Sequence, residues 1–217
     1  MNNAPAATVA EERANYLTHG LGFLLSLLGL WWLNMELIHD PDPWRQASFW
    51  IYGGTVMLLF AASTIYHAVT NPQVKRNLRR IDHIAIYFLI AGTYTPFLLI
   101  PLRDSWGIVM MVVIWTLALI GTLFKLKFTG KYPKLSTGFY LGMGWLAVFA
   151  AKPMITLVPW GSLSWLLAGG LLYSVGVLFY NWRSLPYHHA IWHVFVLAAS
   201  ACHYICLLYT SPSPRDA

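Results

Sequence analysis

The sequence predicts an all-α, polytopic membrane protein: a bundle of seven transmembrane helices with its N-terminus in the cytoplasm and its C-terminus outside. Three observations predict it. The 217-residue chain is 58% hydrophobic and only 10% charged, a membrane composition rather than that of a soluble globule. Seven stretches approach the roughly 20 apolar residues needed to cross a bilayer, and between them they use up nearly the whole chain. The basic residues gather in alternate loops, as topology signals do.

The seven spans lie at about 15–37, 47–68, 82–101, 106–125, 136–155, 161–180 and 189–208, so that residues 15–208 form one membrane domain after a short cytoplasmic segment, 1–14. That segment carries Glu11, Glu12 and Arg13 and lacks the basic start and small-residue cleavage site of a signal peptide, so the first span is expected to be retained. The second-to-third connection holds Lys75, Arg76, Arg79 and Arg80; the fourth-to-fifth holds Lys125, Lys127, Lys131 and Lys134; the sixth-to-seventh adds Arg183. On the other side Arg45 faces Asp40 and Asp42, Arg103 faces Asp104, and Lys152 stands without an acidic neighbour. The basic connections are therefore assigned to the cytoplasm. A net charge of +6 is read the same way, not as nucleic-acid affinity, and no Gly-rich phosphate loop, nucleophile elbow or nucleic-acid motif is visible.

Other residues read as architecture. Trp31, Trp32, Trp44, Trp106 and Trp160 fall near span ends, as an interfacial aromatic belt requires. Pro96 predicts a bend in the third span. Gly138, Gly142 and Gly144 in the fifth, with Gly169, Gly170 and Gly176 in the sixth, suggest close helix packing. Cys202 and Cys206 lie one turn apart on one helix, where two small buried thiols are expected and not a disulfide.

Ionisable groups inside apolar spans are costly and point to function. Asn15 and His19 sit at the inner end of the first span, just after Glu12; Ser63 and His67 close the second; Asp82 and His83 open the third; His188, His189 and His193 open the seventh. Four helices thus place polar groups in one layer. His189 and His193 are four residues apart, about 40° around a helix and ~6 Å along it, so both imidazoles can point at one centre. His67 supplies a third, giving a three-histidine arrangement with an open fourth position, the usual pattern of catalytic zinc. Asp82 would add a carboxylate beside it, as support for a ligand or as general base. Asn15 and His19, one turn apart, are expected with Glu12 to line the cytoplasmic mouth or orient the ligands, or else to serve helix packing. His188 points about 100° away from His189 and is read as interfacial, as is His83. His203 lies ~15 Å beyond His193 and is expected to hydrogen-bond a neighbouring helix. His39 is expected to be solvated.

At "ERANYLTHGLG" (12–22), "STIYHA" (63–68), "RIDHIAIYFLIAGTYTPFLL" (80–99) and "HHAIWHVFVLAASACHY" (188–204) the chain resembles the hemolysin III family of bacterial inner-membrane proteins. Those proteins are relatives of the progestin and adiponectin receptors and, more remotely, of alkaline ceramidases. The resemblance implies an inner-leaflet zinc held by His67, His189 and His193, with Asp82 and Ser63 beside the metal in the catalytic positions. The function this implies is metal-dependent hydrolysis of a lipid amide or ester bond in a bacterial inner membrane, with a lipid as substrate or ligand. Two other readings stay open: a sensor or receptor in which zinc is a structural staple, and a cytolytic protein. A pore is poorly supported, because polar residues are confined to one layer instead of lining the spans. The end of the chain, "CLLYTSPSPRDA" at 206–217, resembles over Cys206 to Asp216 the translation of a sequencing adapter and is expected to carry no functional information.

Overall fold

A computed structural model describes residues 7–38 and 40–210. His39 and residues 211–217 of the suspect tail therefore lie outside the described residues.

Within the described residues the chain is helical, and seven segments are long and apolar enough to cross a membrane. Helix α1 (Val9–Leu37) opens with a reciprocal cap: Thr8 Oγ1 accepts from the Glu11 amide, and the Glu11 carboxylate accepts from the Thr8 amide. Helix α2 (Pro43–Ala68) starts on the Asp42 side chain, and α3 (Pro72–Leu99) on Asn71, each with proline in the first turn, where no amide is needed. Both α1 and α3 therefore begin well before the expected spans at 15 and 82. Their first turns are helical but too polar to count as apolar span, which is why hydropathy alone missed them. Pro96 falls in the last turn of α3, where only the Gly92 carbonyl loses a helical partner.

A π-helical turn, Arg103–Gly107, leads into α4 (Ile108–Phe128). The expected fifth span at 136–155 is broken into α5 (Pro133–Gly144), a 3₁₀ segment (Leu146–Ala150) and α6 (Ala151–Leu157). Pro153 has no amide to offer and crowds the carbonyl four residues back, so one α-helix cannot run through 149–153. Tyr94 of α3 covers the break: its hydroxyl donates to the Gly144 carbonyl (2.8 Å) and accepts from the Ala147 amide (2.8 Å). Backbone groups freed within a membrane need such a partner. Helices α7 (Trp160–Asn181) and α8 (His188–Thr210) complete the described residues, and Cys206–Thr210 form the last turn of α8.

The helices close a ring. α1 packs on α2, α2 on α3, α3 on α4, α4 on α5, α5 on α7, α7 on α8, and α8 returns to α1. Apolar residues line the interior as Leu33, Phe49, Phe60, Leu89, Val196 and their neighbours. The perimeter is also apolar: Leu17, Leu24 and Leu28 of α1 and Leu119 and Leu123 of α4 are exposed, as lipid contact requires. Trp31, Trp32, Trp44, Trp106 and Trp160 are all exposed.

The glycines divide. A Cβ on Gly169 would fall on the His203 ring, and one on Gly176 would meet Trp192 and Phe195, so these two do let α7 and α8 approach closely. Gly138, Gly142, Gly144 and Gly170 have nothing within 4 Å of an added Cβ, which corrects the packing role expected of them. They border open space because α5 meets its neighbours sparsely. Both cysteines are free, and the Cys206 thiol donates to the Ser162 carbonyl.

Candidate metal centre

The connection from α7 to α8 turns sharply. Tyr187 takes a left-handed backbone conformation (φ 55°), uncommon for a bulky residue, and its amide donates to Glu11 Oε1 at 3.2 Å. The start of α8 is thereby tied to the start of α1. From there His189 and His193 project from successive turns with ring centroids 4.6 Å apart, and His67, in the last turn of α2, brings its ring to 5.0 Å from His189 and 5.1 Å from His193. One ring nitrogen from each histidine lies within 4.8 Å of the others, a separation that a single metal ion can bridge.

The hydrogen bonds fix which nitrogens face inward. His67 Nδ1 donates to Glu12 Oε2 at 2.6 Å, and Glu12 in turn pairs with Lys75 Nζ at 3.0 Å. His193 Nδ1 lies 3.1 Å from the Asn15 carbonyl, which can only accept, and 3.2 Å from Thr18 Oγ1. In both rings an acceptor beside Nδ1 favours the proton there and leaves Nε2 for a metal. His67 Nε2 is buried with no hydrogen-bond partner among the described residues. A lone pair buried in that way fits a metal ligand, and a donor behind each ring is how metal-bound imidazoles are oriented. Helix α1 thus supplies none of the three histidines but holds two of them.

Beside the histidines opens a cavity of about 840 Å³, lined by Ser63, Asp82, His189 and His193 at one end and by apolar residues such as Leu89, Phe97, Met154 and Leu166 farther along. Asp82 (8% exposed) and Ser63 (1%) are buried at the level of the triad. The cavity lies between the thinly packed α5 and the pair α7 and α8, and reaches Trp160 at the far end.

The remaining histidines separate by position. His19 is buried and stacks on His193 (centroids 3.5 Å, planes 12° apart) with neither ring nitrogen hydrogen-bonded among the described residues. His188 stands 6.1 Å from the His189 ring and outside the triad. His203 Nε2 donates to the Leu166 carbonyl of α7 at 3.2 Å, the contact expected of it. His83 differs from the interfacial reading: it lines the cavity, 3.4 Å from Lys125 Nζ. Lys125, read from sequence as a loop charge, is 2% exposed and also lines the cavity. No local sequence signal separates it from Lys127, which is exposed two residues later.

A family model described as haemolysin-III related matches residues 7–204. The chain is 46% identical over 202 residues to a protein of Bacillus subtilis (strain 168) named "Hemolysin-3 homolog", covering 93% of this chain and 95% of that one. It is 45% identical over 201 residues to "Hemolysin-3" of Bacillus cereus, covering 93% and 92%. A human protein named "Monocyte to macrophage differentiation factor" is 33% identical over 219 residues, covering 95% and 88%.

Proposed function

The chain belongs to the haemolysin-III-related family of multi-pass membrane proteins, and from that premise we propose that it is a zinc-dependent hydrolase acting on an amide or ester bond of a lipid. We place it in the inner membrane of a bacterial cell, with the basic loops and the metal centre on the cytoplasmic side. The observation that carries the reading is the triad of His67, His189 and His193, two of them buried and the third half-buried, with one ring nitrogen of each within 4.8 Å of the others at the head of a lipid-sized cavity.

When bound in such an open three-imidazole site, zinc supplies Lewis acidity and lowers the pKa of a water toward ~7. The protein's own residues do the rest. Glu12 and the Asn15 carbonyl hold His67 and His193 in the ligating tautomer. Asp82 takes the proton lost as water adds to the carbonyl carbon, and returns it to the leaving nitrogen or oxygen as the acyl bond breaks, so that a fatty acid and an amine or alcohol result. The Ser63 hydroxyl, one turn before His67, stands beside the reacting group. The apolar length of the cavity holds the acyl chain and keeps bulk water from it.

The test is to incubate the purified, zinc-loaded protein with a panel of amide- and ester-linked lipids and to follow fatty-acid release by mass spectrometry. Release by the wild type, lost in Asp82→Asn while zinc is retained, supports the hydrolase. Bound zinc with no product across the panel contradicts it and leaves the sensor reading.

A further inference from the structure

Lys125 sits three residues from the end of α4, where a lysine ordinarily extends its ammonium to the membrane surface. It does the opposite. The side chain turns into the cavity, donates to Ser136 Oγ at 2.8 Å and to His83 Nδ1 at 3.4 Å, and lies over the Tyr140 ring at 5.4 Å. None of these partners is charged, and an ammonium has three donors, so one remains for something else.

Two more cations line the same mouth from other elements: Arg79 of α3, whose guanidinium lies against Gly130 in the turn after α4, and Arg183 from the connection between α7 and α8. No carboxylate comes within ion-pair distance of Lys125, Arg79 or Arg183 among the described residues. Loop charges that only set topology would point outward. Asp82 lines the same cavity but stands outside ion-pair distance, so a buried ammonium in a membrane span, with no carboxylate in contact and with its remaining donor facing a cavity, marks a site for an anion.

We propose that this mouth binds the phosphate of an anionic lipid headgroup, with Lys125 as the central cation, Arg79 and Arg183 flanking it, and the acyl chain along the apolar cavity. Phosphate suits the arrangement because its oxygens can take donors from several directions at once, and because guanidinium forks match them. The neutral carbonyl to be cleaved belongs at the triad, so the cations serve a separate, anionic group. From His189 to His203, both cavity-lining, α8 rises about 21 Å, the length scale of a long acyl chain. A choline or ethanolamine headgroup would bring its own cation toward three others, so zwitterionic lipids are disfavoured.

The inference deepens the lipid-hydrolase reading but is tested without turnover. The full-length protein in detergent is titrated with phosphatidylglycerol, with phosphatidylcholine of the same chains, and with inorganic phosphate, and bound lipid is counted by native mass spectrometry. The expected result is a preference for phosphatidylglycerol over phosphatidylcholine of about tenfold or more, and its loss in Lys125→Gln and in Arg79→Gln. The preference should survive in Lys125→Arg and in the metal-free His189→Ala/His193→Ala double variant. Arg79 is exposed, so its variant keeps the test free of any folding defect at Lys125. Equal binding of both lipids, a preference unchanged in Arg79→Gln and Lys125→Gln, or displacement of bound lipid by inorganic phosphate at equal concentration would overturn the proposal.

Discussion

Glu12 reaches His67 from a helix that contributes none of the three histidines, and its carboxylate is held in turn by Lys75. Replacing it with glutamine keeps the shape but removes the charge that favours the Nδ1–H tautomer. Glu12→Gln is expected to weaken zinc binding by about 10- to 100-fold, read by competition with a chromophoric chelator. Asp82→Asn should separate the two roles differently, keeping the metal while slowing lipid cleavage by about 10²- to 10⁴-fold in a product assay. Sequence spacing alone indicated His189 and His193, because four residues make one helical turn. The depth of Glu12 indicated that it could orient a ligand, but its partner His67 lies 55 positions away, and Lys125 turns inward to Ser136 and His83 of other helices, so neither contact is visible locally. Depth in the span placed Asn15 near the three histidines; only the structure shows that its backbone carbonyl is what meets His193.

Helix positions were legible because lipid demands long apolar runs, but helix interruptions and faces were not. The fifth span reads as continuous from its hydropathy, whereas Pro153 breaks it and Tyr94, from a different helix, makes the break affordable. Glycine frequency likewise cannot tell contact from vacancy. Gly169 lies under the His203 ring, so Gly169→Ala forces α7 from α8 and is expected to cost about 1–3 kcal/mol. Gly142 borders open space, so Gly142→Ala should be neutral or gain up to about 1 kcal/mol of helix propensity. Thermal unfolding of the two variants, compared side by side, checks the contrast.

Across the whole molecule, the triad bridges α2 to α8, while α1 braces both through Glu12, Asn15 and Thr18. α8 is far in sequence from α1 and α2, and α5 leaves the cavity open on the opposite wall. Metal should therefore stabilise the bundle: a ligand present at 100 times its Kd adds about 2.7 kcal/mol to a state that alone binds it. Stripping zinc with a chelator is expected to lower the melting temperature, and restoring zinc to raise it, with no such response in the His189→Ala/His193→Ala variant. The seven-helix plan, its charge alternation and the layer of polar residues could be read from composition and spacing. The shape of the cavity could not, since it depends on which wall packs poorly. The most direct measurement is metal content of the purified full-length protein by mass spectrometry, beside His67→Ala and His189→Ala/His193→Ala. One zinc per chain in the wild type, lost in both variants, is the predicted result; zinc retained in full by the variants would contradict the site.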